Sequence, residues 1–184
     1  MKAYSVAHLW CLLLIKKLKE NNISTFCVAP GSRSTCLVKA ISEYRDIDVI
    51  THFDERALSF FALGNAKVSQ CPSVIITTSG SAVANLVPAA VEAMAMQIPI
   101  IFITADRPKT LHECGANQTT NHENLLKNNV VQQFLSPLPS ENHNDLDCFL
   151  STINNLINSA FLGPVHINMP FEEPFLAKNK QDFS

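Results

Sequence analysis

Short apolar segments alternate with helical patterns along most of the chain, and this alternation limits the possible folds more than any other feature. Each segment has the length of a strand, and most of them end in a polar turn. Strand, turn and helix units in series predict parallel strands joined by right-handed crossovers. The sequence therefore predicts a three-layer α/β fold, a mainly parallel sheet of about six strands with helices on both faces. The predicted strands are 25–29, 47–50, 74–77, 99–105, 130–134 and 165–169.

The length and composition fit a single domain. With 184 residues and 47% apolar content, the chain can bury one multilayer core. We expect this domain to span residues 1–176, because the chain is polar beyond that point and residues 177–184 have the composition of an interdomain linker. A helix is predicted over 146–160, with Asp145 or Asp147 as its N-cap.

Charge, cysteines and hydropathy argue against several classes of protein. The formal net charge is −2, so nucleic acid is not an expected partner. No apolar run reaches the roughly 18 residues of a membrane span. The six cysteines include no C-x-x-C pair, which disfavours zinc and fits a reducing, cytoplasmic environment. We predict no metal site and structural roles for the histidines, since no metal-ligand spacing links His52, His112, His122 and His166.

One carboxylate, Glu55, occupies a position where it could meet a ligand. It follows a predicted strand and precedes a helical pattern, so it should lie where the carboxyl end of a strand meets the amino end of a helix. Ligands of open α/β sheets bind at that edge, where a carboxylate can be aimed at one atom of a bound molecule. Acidic residues in the first turn of a helix also complement the helix dipole, so position alone leaves a structural role open.

Other polar turns should gather at the same edge, because the carboxyl ends of parallel strands meet there. Arg33 and Arg107 each follow a predicted strand. Their guanidinium groups suit the carboxylates of an anionic ligand, although either could pair with a nearby aspartate instead. The turn 78–81 offers backbone amides at a helix start. Asn117 and Gln118 lie on a long polar loop, where their amides could orient a ligand or form turns.

Five short motifs carry a family resemblance. They are APGSRST (29–35), THFDER (51–56), TSGSAVANL (78–86), TADRP (104–108) and CGANQ (114–118). Together they resemble the amino-terminal, pyrimidine-binding part of thiamine-diphosphate-dependent enzymes, and within them the 2-succinyl-5-enolpyruvyl-6-hydroxy-3-cyclohexene-1-carboxylate synthase family of menaquinone biosynthesis. The similarity extends to about Phe175. Glu55 and the turn 78–80 resemble the wider thiamine family, whereas the Ser32-Arg33 pair resembles this synthase family in particular.

The resemblance implies a thiamine diphosphate-binding fold and a role for each matching residue. Glu55 would hydrogen-bond N1′ of the cofactor's aminopyrimidine and so promote loss of the thiazolium C2 proton. The cofactor would then attack 2-oxoglutarate, which loses carbon dioxide and adds to isochorismate. By the same resemblance Pro30, Thr78 and Gly80 would line the pyrimidine pocket. The residues expected to hold the substrates are Ser32, Arg33, Arg107, Asn117 and Gln118.

The resemblance covers one part of a longer family chain. Family members also carry a middle domain and a diphosphate-binding domain, whose Gly-Asp-Gly motif holds Mg²⁺ or Mn²⁺. The present sequence contains no Gly-Asp-Gly, so we expect no metal or diphosphate site in it and no activity from this chain alone. The family's site lies between the pyrimidine-binding domain of one subunit and the diphosphate-binding domain of a second, which implies a homodimer or homotetramer.

Two other interpretations stay open. The chain could be the corresponding domain of another thiamine carboligase, such as an acetolactate synthase, which would not require Ser32-Arg33 and Arg107 together. It could instead be a binding or dimerisation module without catalysis. A Gly-Asp-Gly segment encoded beyond Ser184 would argue against the second of these interpretations.

Overall fold

A computed structural model describes residues 1–183 of the protein. The strands are β1 (Lys2–Ala3), β2 (Thr25–Val28), β3 (Asp48–Thr51), β4 (Ser73–Thr77), β5 (Ile100–Asp106), β6 (Gln132–Leu135), β7 (Val165–Pro170) and β8 (Gln181–Asp182). The helices are α1 (Val6–Glu20), α2 (Thr35–Ile41), α3 (Glu55–Ser69), α4 (Ser81–Ala84), α5 (Val87–Met96), α6 (His122–Leu126) and α7 (His143–Ala160). None of these helices combines the length and the apolar character needed to cross a bilayer.

Strands β2 to β7 form one sheet in the order β3-β2-β4-β5-β7-β6, and every neighbouring pair is parallel. The predicted α/β fold with a parallel sheet of six strands is therefore confirmed. The chain first moves from β2 outward to β3 and then returns to the other side of β2 for β4. This reversal creates a topological switch point between β2 and β4, and the loops that follow these two strands diverge there.

Alternating strand residues face two separate helix layers. In β4, Val74 and Ile76 belong to one apolar cluster and Ile75 belongs to the other. The first cluster includes side chains of α1, α2 and α7, and the second includes side chains of α3, α5 and α6. Every residue of β4 and of β5 is buried. Helices therefore cover both faces of the sheet, as expected for parallel strands whose crossovers are helical.

Several element boundaries differ from the predictions by a residue or more, and two of these differences have a clear cause. Helix α7 begins at His143, because the Asn142 side chain caps it by accepting a hydrogen bond from a backbone amide, where Asp145 or Asp147 was expected to do so. Strand β6 begins later than the predicted strand, since its first paired residue is Gln132. Both errors have the same origin: the apolar pattern locates an element, but caps and ladder hydrogen bonds fix its ends.

The two ends of the described chain lie together. Strands β1 and β8 form a small antiparallel sheet that the sequence did not predict, since each strand has only two residues. The Met1 amino group donates to the Phe183 carbonyl at 2.8 Å, and the Phe183 side chain packs against the first apolar cluster. The expected linker thus includes a strand that pairs with the start of the chain. The domain boundary at 176 stays a prediction.

Acid should destabilise the fold through His166. This β7 side chain is fully buried, and burial lowers its pKa to about 3. An unfolded-state histidine has a pKa of about 6.5, so the unfolded chain takes up a proton that the native protein excludes, and the free energy of unfolding falls as the pH drops below about 6.5. We expect this group to remove about 2 kcal/mol of stability between about pH 7 and about pH 5.

The measurement is urea unfolding of the wild type and of His166→Gln at both pH values. His166 lies 2.7 Å from the Thr104 hydroxyl and 2.6 Å from Gln133 Nε2, and a glutamine can hydrogen-bond to both groups without titrating. The pH dependence of the variant should be weaker by about 2 kcal/mol. An equal pH dependence in both proteins would show that the acid sensitivity lies elsewhere.

Candidate active site at the carboxyl edge of the sheet

A cavity of about 310 Å³ opens at the switch point between β2 and β4. Crevices of this kind, beyond the carboxyl ends of strands whose order reverses, are the usual ligand sites of open α/β sheets. Side chains and backbone from six separate stretches of the chain converge on it. The residues that line the cavity are Pro30, Gly31, Ser32, Arg33, Glu55, Thr78, Ser79, Arg107, Gln118 and Glu173.

Most of the residues predicted from the sequence line this one cavity, and two do not. Gly80 lies directly behind the lining, where an added Cβ would be 2.6 Å from Gln118 Cγ. Asn117 is exposed and lies outside the lining. Glu55 and both arginines, which are distant in sequence, meet at the same edge of the sheet. Their chemical roles stay predictions, but the convergence on which those roles depend is present.

Glu55 is the first residue of α3 and is half-buried at the cavity. The Asp54 side chain caps the helix by accepting from the Ala57 amide at 3.0 Å, so Glu55 itself is not needed as the cap. Its Oε2 accepts a hydrogen bond from Asn85 Nδ2 at 3.0 Å. Asn85, beyond the end of α4, thus restrains one carboxyl oxygen of Glu55, and the carboxyl group stays partly open to a ligand.

Arg33 is 9% exposed, and the segment that follows β7 holds its guanidinium group. Its Nη1 donates to the Phe171 carbonyl at 2.7 Å, and its Nη2 donates to Glu173 Oε1 at 3.0 Å. The Phe175 ring lies 5.1 Å from the Arg33 Cζ. A ligand carboxylate at Arg33 would therefore have to share the guanidinium group with Glu173 or displace Glu173 from it.

Arg107 forms the opposite part of the cavity lining and holds two loops together. Its Nη1 donates to the Ser79 hydroxyl and to the Gln118 carbonyl, the latter at 2.7 Å. Burial lowers the pKa of Arg107, and the nearby positive charge of Arg33 lowers it further. Two guanidinium groups that raise each other's electrostatic energy favour an anion between them, because an anion offsets both desolvation and repulsion.

The turn that follows β4 has little freedom to move. Gly80 has φ of +82°, a conformation that residues with a Cβ rarely adopt. The Gln118 side chain donates to the Ser79 carbonyl at 3.0 Å, and the Gly80 N–H donates to His122 Nε2, also at 3.0 Å. A Cβ on Gly31 would lie 2.3 Å from Thr78 Cβ. Glycine at both positions therefore lets three backbone segments approach one another closely.

A buried polar network that was not predicted from the sequence lies behind the cavity. His122 Nδ1 lies 2.9 Å from Asn168 Oδ1, Asn168 Nδ2 donates to Asp106 Oδ2 at 2.8 Å, and Asp106 Oδ1 accepts from the Arg107 amide at 2.7 Å. Burial lowers the pKa of His122, although the Asp106 charge and the Asn168 hydrogen bond oppose that shift. The available sequence signal was Asn168, a polar residue in an apolar strand.

A larger cavity of about 790 Å³ lies on the other side of Arg107. Leu135 and Leu138 contribute apolar surface to it, and Lys109 and Glu172 contribute charges of opposite sign. Glu55 does not line it, and neither do the two glycine contacts described above. We therefore place the candidate active site in the smaller cavity, where the converging polar groups and the close backbone approaches lie.

Comparison with known families agrees with this geometry. Residues 12–131 match the family model described as the thiamine pyrophosphate enzyme, N-terminal TPP binding domain. This match spans more than half of the chain and includes β2, β4, β5 and every residue that lines the cavity except Glu173. The chain therefore belongs to the thiamine pyrophosphate enzyme family, of which it carries the N-terminal TPP binding domain.

Within that family, the chain is similar to proteins named 2-succinyl-5-enolpyruvyl-6-hydroxy-3-cyclohexene-1-carboxylate synthase. The relative from Aliivibrio fischeri is 41% identical over 177 residues, which cover 92% of this chain and 30% of the relative. The relative from Psychromonas ingrahamii is 44% identical over 169 residues, covering 90% and 29%. The relative from Chlorobium luteolum is 42% identical over 170 residues, covering 91% and 29%. The chain thus spans a little under one third of the length of these relatives.

Removing the Glu173 carboxylate should make Arg33 more available to anions. In Glu173→Gln the ion pair at 3.0 Å is lost while the length of the side chain is kept. Because the Glu173 carboxylate is largely exposed, its pair with Arg33 is worth up to about 1 kcal/mol, so we expect succinate, a simple dicarboxylate, to bind about threefold more tightly. The measurement is an NMR titration of the Arg33 and Arg107 guanidinium signals with succinate.

Glu172→Gln is the matched control, because it removes the same charge one residue away without touching the Arg33 pair. It should change succinate affinity less than Glu173→Gln does. Equal gains from both variants would mean that general charge, rather than competition for Arg33, governs anion binding.

Proposed function

We propose that this chain is the pyrimidine-binding domain of a thiamine-diphosphate-dependent 2-succinyl-5-enolpyruvyl-6-hydroxy-3-cyclohexene-1-carboxylate synthase. The observation that carries the proposal is the single cavity in which Glu55 lies with Arg33 and Arg107. A carboxyl group suits a pyrimidine ring nitrogen, and two guanidinium groups suit a substrate with several carboxylates. The family match and the names of the relatives support the same assignment.

The residues around the cavity fit the aminopyrimidine half of thiamine diphosphate. A flat ring needs a slot with firmly packed walls, and the absence of a Cβ at Gly31 and Gly80 lets Thr78 and Gln118 pack directly against these two backbone positions. Thr78 is 8% exposed and forms a buried wall of the slot. Pro30 lies at its rim. The Glu55 carboxyl group supplies one hydrogen-bonding group for a ring nitrogen.

The diphosphate half would be held by a domain outside this chain. Within residues 1–183, no three His, Cys, Asp or Glu side chains are grouped so that they could hold a metal ion. The Mg²⁺ or Mn²⁺ and the diphosphate would bind to the diphosphate-binding domain of a second subunit. On this proposal the chain alone is inactive, and the active protein is a homodimer or homotetramer in the cytoplasm.

The surface beside Glu55 suits such a partner. Helices α3 and α5 pack against each other and expose Phe61 and Met94, which are 51% and 39% accessible. Phe53, just before α3, is 89% accessible. Large apolar side chains concentrated next to a candidate site favour protein contact over solvent. A second subunit covering this face would also exclude water from Glu55.

In the proposed reaction the chain binds, orients and moves protons. When bound, thiamine diphosphate supplies the carbon nucleophile. Glu55 would share a proton with N1′ of the pyrimidine ring, and the Asn85 hydrogen bond to Oε2 at 3.0 Å would keep the carboxyl group in position. Closure of the cavity by the second subunit would strengthen this hydrogen bond by removing water.

The arginines would bind 2-oxoglutarate and isochorismate through their carboxylates. Arg33 would exchange its partner Glu173 for a substrate carboxylate, and Ser32 lies beside it at the exposed rim of the cavity. Arg107 would contribute charge while it continues to hold Ser79 and Gln118. Gln118 would act mainly through the cavity wall, since its side-chain amide already donates to the Ser79 carbonyl. Asn117, outside the lining, would reach a substrate only from the rim.

A chimera provides the test. This chain would replace the matching segment of the Aliivibrio fischeri synthase, to which it is 41% identical, and product would be measured with 2-oxoglutarate and isochorismate. We expect turnover from the chimera and a loss of at least about a hundredfold in kcat in its Glu55→Gln variant, because general acid–base contributions are of that size. Glu141→Gln, an exposed carboxylate away from the cavity, should leave kcat unchanged.

A second chimera controls for mismatch between domains. It carries the matching segment of the Psychromonas ingrahamii relative in the same host. If that chimera turns over substrate while the folded chimera with this chain does not, the proposal is wrong. Turnover of pyruvate alone to acetolactate would favour the acetolactate-synthase alternative. Cofactor binding without either activity would favour a binding module.

Arg33→Ala in the active chimera should raise the KM for an acidic substrate about tenfold or more, since a charge-assisted hydrogen bond contributes about 1.5 to 3 kcal/mol. The Kd of thiamine diphosphate should stay within about twofold, because Arg33 is held by the segment after β7 rather than by the cofactor turn. Steady-state kinetics and calorimetry measure the two quantities. Lys109→Ala, which removes an exposed positive charge, is the control. An equal rise in KM in this variant would contradict the assignment of Arg33 to substrate binding.

A further inference from the structure

A single peptide group, the one that joins Ser79 to Gly80, is held from both of its ends. Its carbonyl accepts from Gln118 Nε2 at 3.0 Å, and its N–H donates to His122 Nε2 at 3.0 Å. Both holding side chains come from one segment, the loop before α6 and its first residue. Rotation of this peptide plane would break both hydrogen bonds together. The orientation of the turn beside the cavity therefore depends on Gln118 and His122.

The hydrogen bonds define the state of the His122 ring. Because Nε2 accepts from Gly80, the ring proton is on Nδ1, which donates to Asn168 Oδ1 at 2.9 Å. Asn168 Nδ2 in turn donates to Asp106 Oδ2. Asn168 Oδ1 also accepts a second hydrogen bond, from the Thr104 hydroxyl at 2.7 Å. We call the two hydrogen bonds that hold this peptide group, from Gln118 and to His122, the peptide clamp. The clamp requires a neutral imidazole at His122. A proton on Nε2 would place two hydrogen-bond donors opposite each other, and the hydrogen bond from the Gly80 N–H would be lost.

The charged and titratable groups around His122 come from several elements. Asp106 of β5 has Oδ2 3.4 Å from the ring Nδ1, and Arg107 follows it. His112 lies on the other side of Asp106, with Nε2 3.6 Å from Oδ1. His166 faces His122 from β7, and Glu123 follows it in α6. Burial outweighs the attraction of Asp106, so the pKa of His122 lies below its ordinary value and the ring is neutral at neutral pH.

We propose that His122 is a positioning residue of the thiamine site, which as a neutral imidazole holds the peptide of Ser79 and Gly80 in place and releases it when protonated. The assignment rests on the proposed function, because that function makes this turn a wall of the pyrimidine pocket. Release of the peptide would also alter the contacts of Arg107, whose guanidinium group donates to the Ser79 hydroxyl and to the Gln118 carbonyl. One protonation would therefore loosen both the cofactor wall and an anion-binding arginine.

The first arm of the test observes the clamp in the ¹⁵N-labelled chain without any cofactor. Between about pH 7.5 and about pH 4.5, the Gly80 amide signal should shift with the same midpoint as the His122 ring nitrogens, and that midpoint should lie below about 6.5. Nδ1 should be the protonated nitrogen at neutral pH. In His122→Gln an amide oxygen can accept from Gly80 without titrating, so the shift should disappear while protection of the Gly80 amide from exchange is kept.

Two further variants identify the source of any titration. His122→Phe removes the acceptor, and exchange of the Gly80 amide should accelerate at least about tenfold at neutral pH relative to amides of β4, which report global unfolding. His112→Gln removes the other histidine next to Asp106 and should leave the Gly80 titration in place. A Gly80 shift that persists in His122→Gln, or that follows His112, would overturn the proposal.

The second arm uses the chimera and measures the Kd of thiamine diphosphate by calorimetry. His122→Phe should weaken cofactor binding about tenfold at about pH 7.5, and His122→Gln should restore it to within about twofold. If the unmodified chimera binds no cofactor, the proposed function is wrong. The first arm still tests whether His122 holds the Gly80 amide, because it uses no cofactor. If the clamp is present but His122→Phe binds cofactor normally, the positioning role is wrong and the proposed function stands.

Discussion

The parallel pairing of β2 with β3 on one side and β4 on the other is the constraint on which the site depends. It satisfies the backbone groups of β2 from both sides and brings three strands to one common edge. Because the order of strands reverses here, the connections after β2 and β4 touch at Gly31 and Thr78 and then lead to opposite faces of the sheet. The crevice between them therefore results from the topology of the sheet and does not depend on the identity of the side chains that line it.

Electrostatics then determines what the crevice can accept. Neutral groups, namely backbone carbonyls and the Ser79 hydroxyl, accept several of the hydrogen bonds from Arg33 and Arg107, and such groups do not cancel the two positive charges. Glu173 reaches Arg33 but is itself largely exposed, with 68% of its side chain accessible. A buried cation with only a solvated counter-ion favours binding of a further anion. The same pair of arginines therefore holds the loops in place and selects an acidic ligand.

Much of this arrangement could be predicted from the sequence, because parallel strands must present their following turns at one edge. The alternation of apolar runs and helical patterns predicted the sheet, and the motifs that end the runs predicted Glu55 and both arginines. The tertiary contacts of these residues could not be predicted from the sequence in the same way. Arg33 is held by a segment more than a hundred residues away, and the hydrogen bond from Gly80 to His122 spans 42 positions. Local patterns do not encode such tertiary contacts, so His122 was predicted only as structural and its hydrogen bond from Gly80 was not predicted.

The pairing of β1 with β8 places the Met1 amino group 2.8 Å from the Phe183 carbonyl. In an engineered form of the domain, a short peptide could join these two residues, and the chain could be opened between β6 and α7 without cutting a strand of the six-stranded sheet. The active-site turns would keep their neighbours in such a permuted chain. The geometry of the cavity should therefore tolerate a different order of elements along the chain.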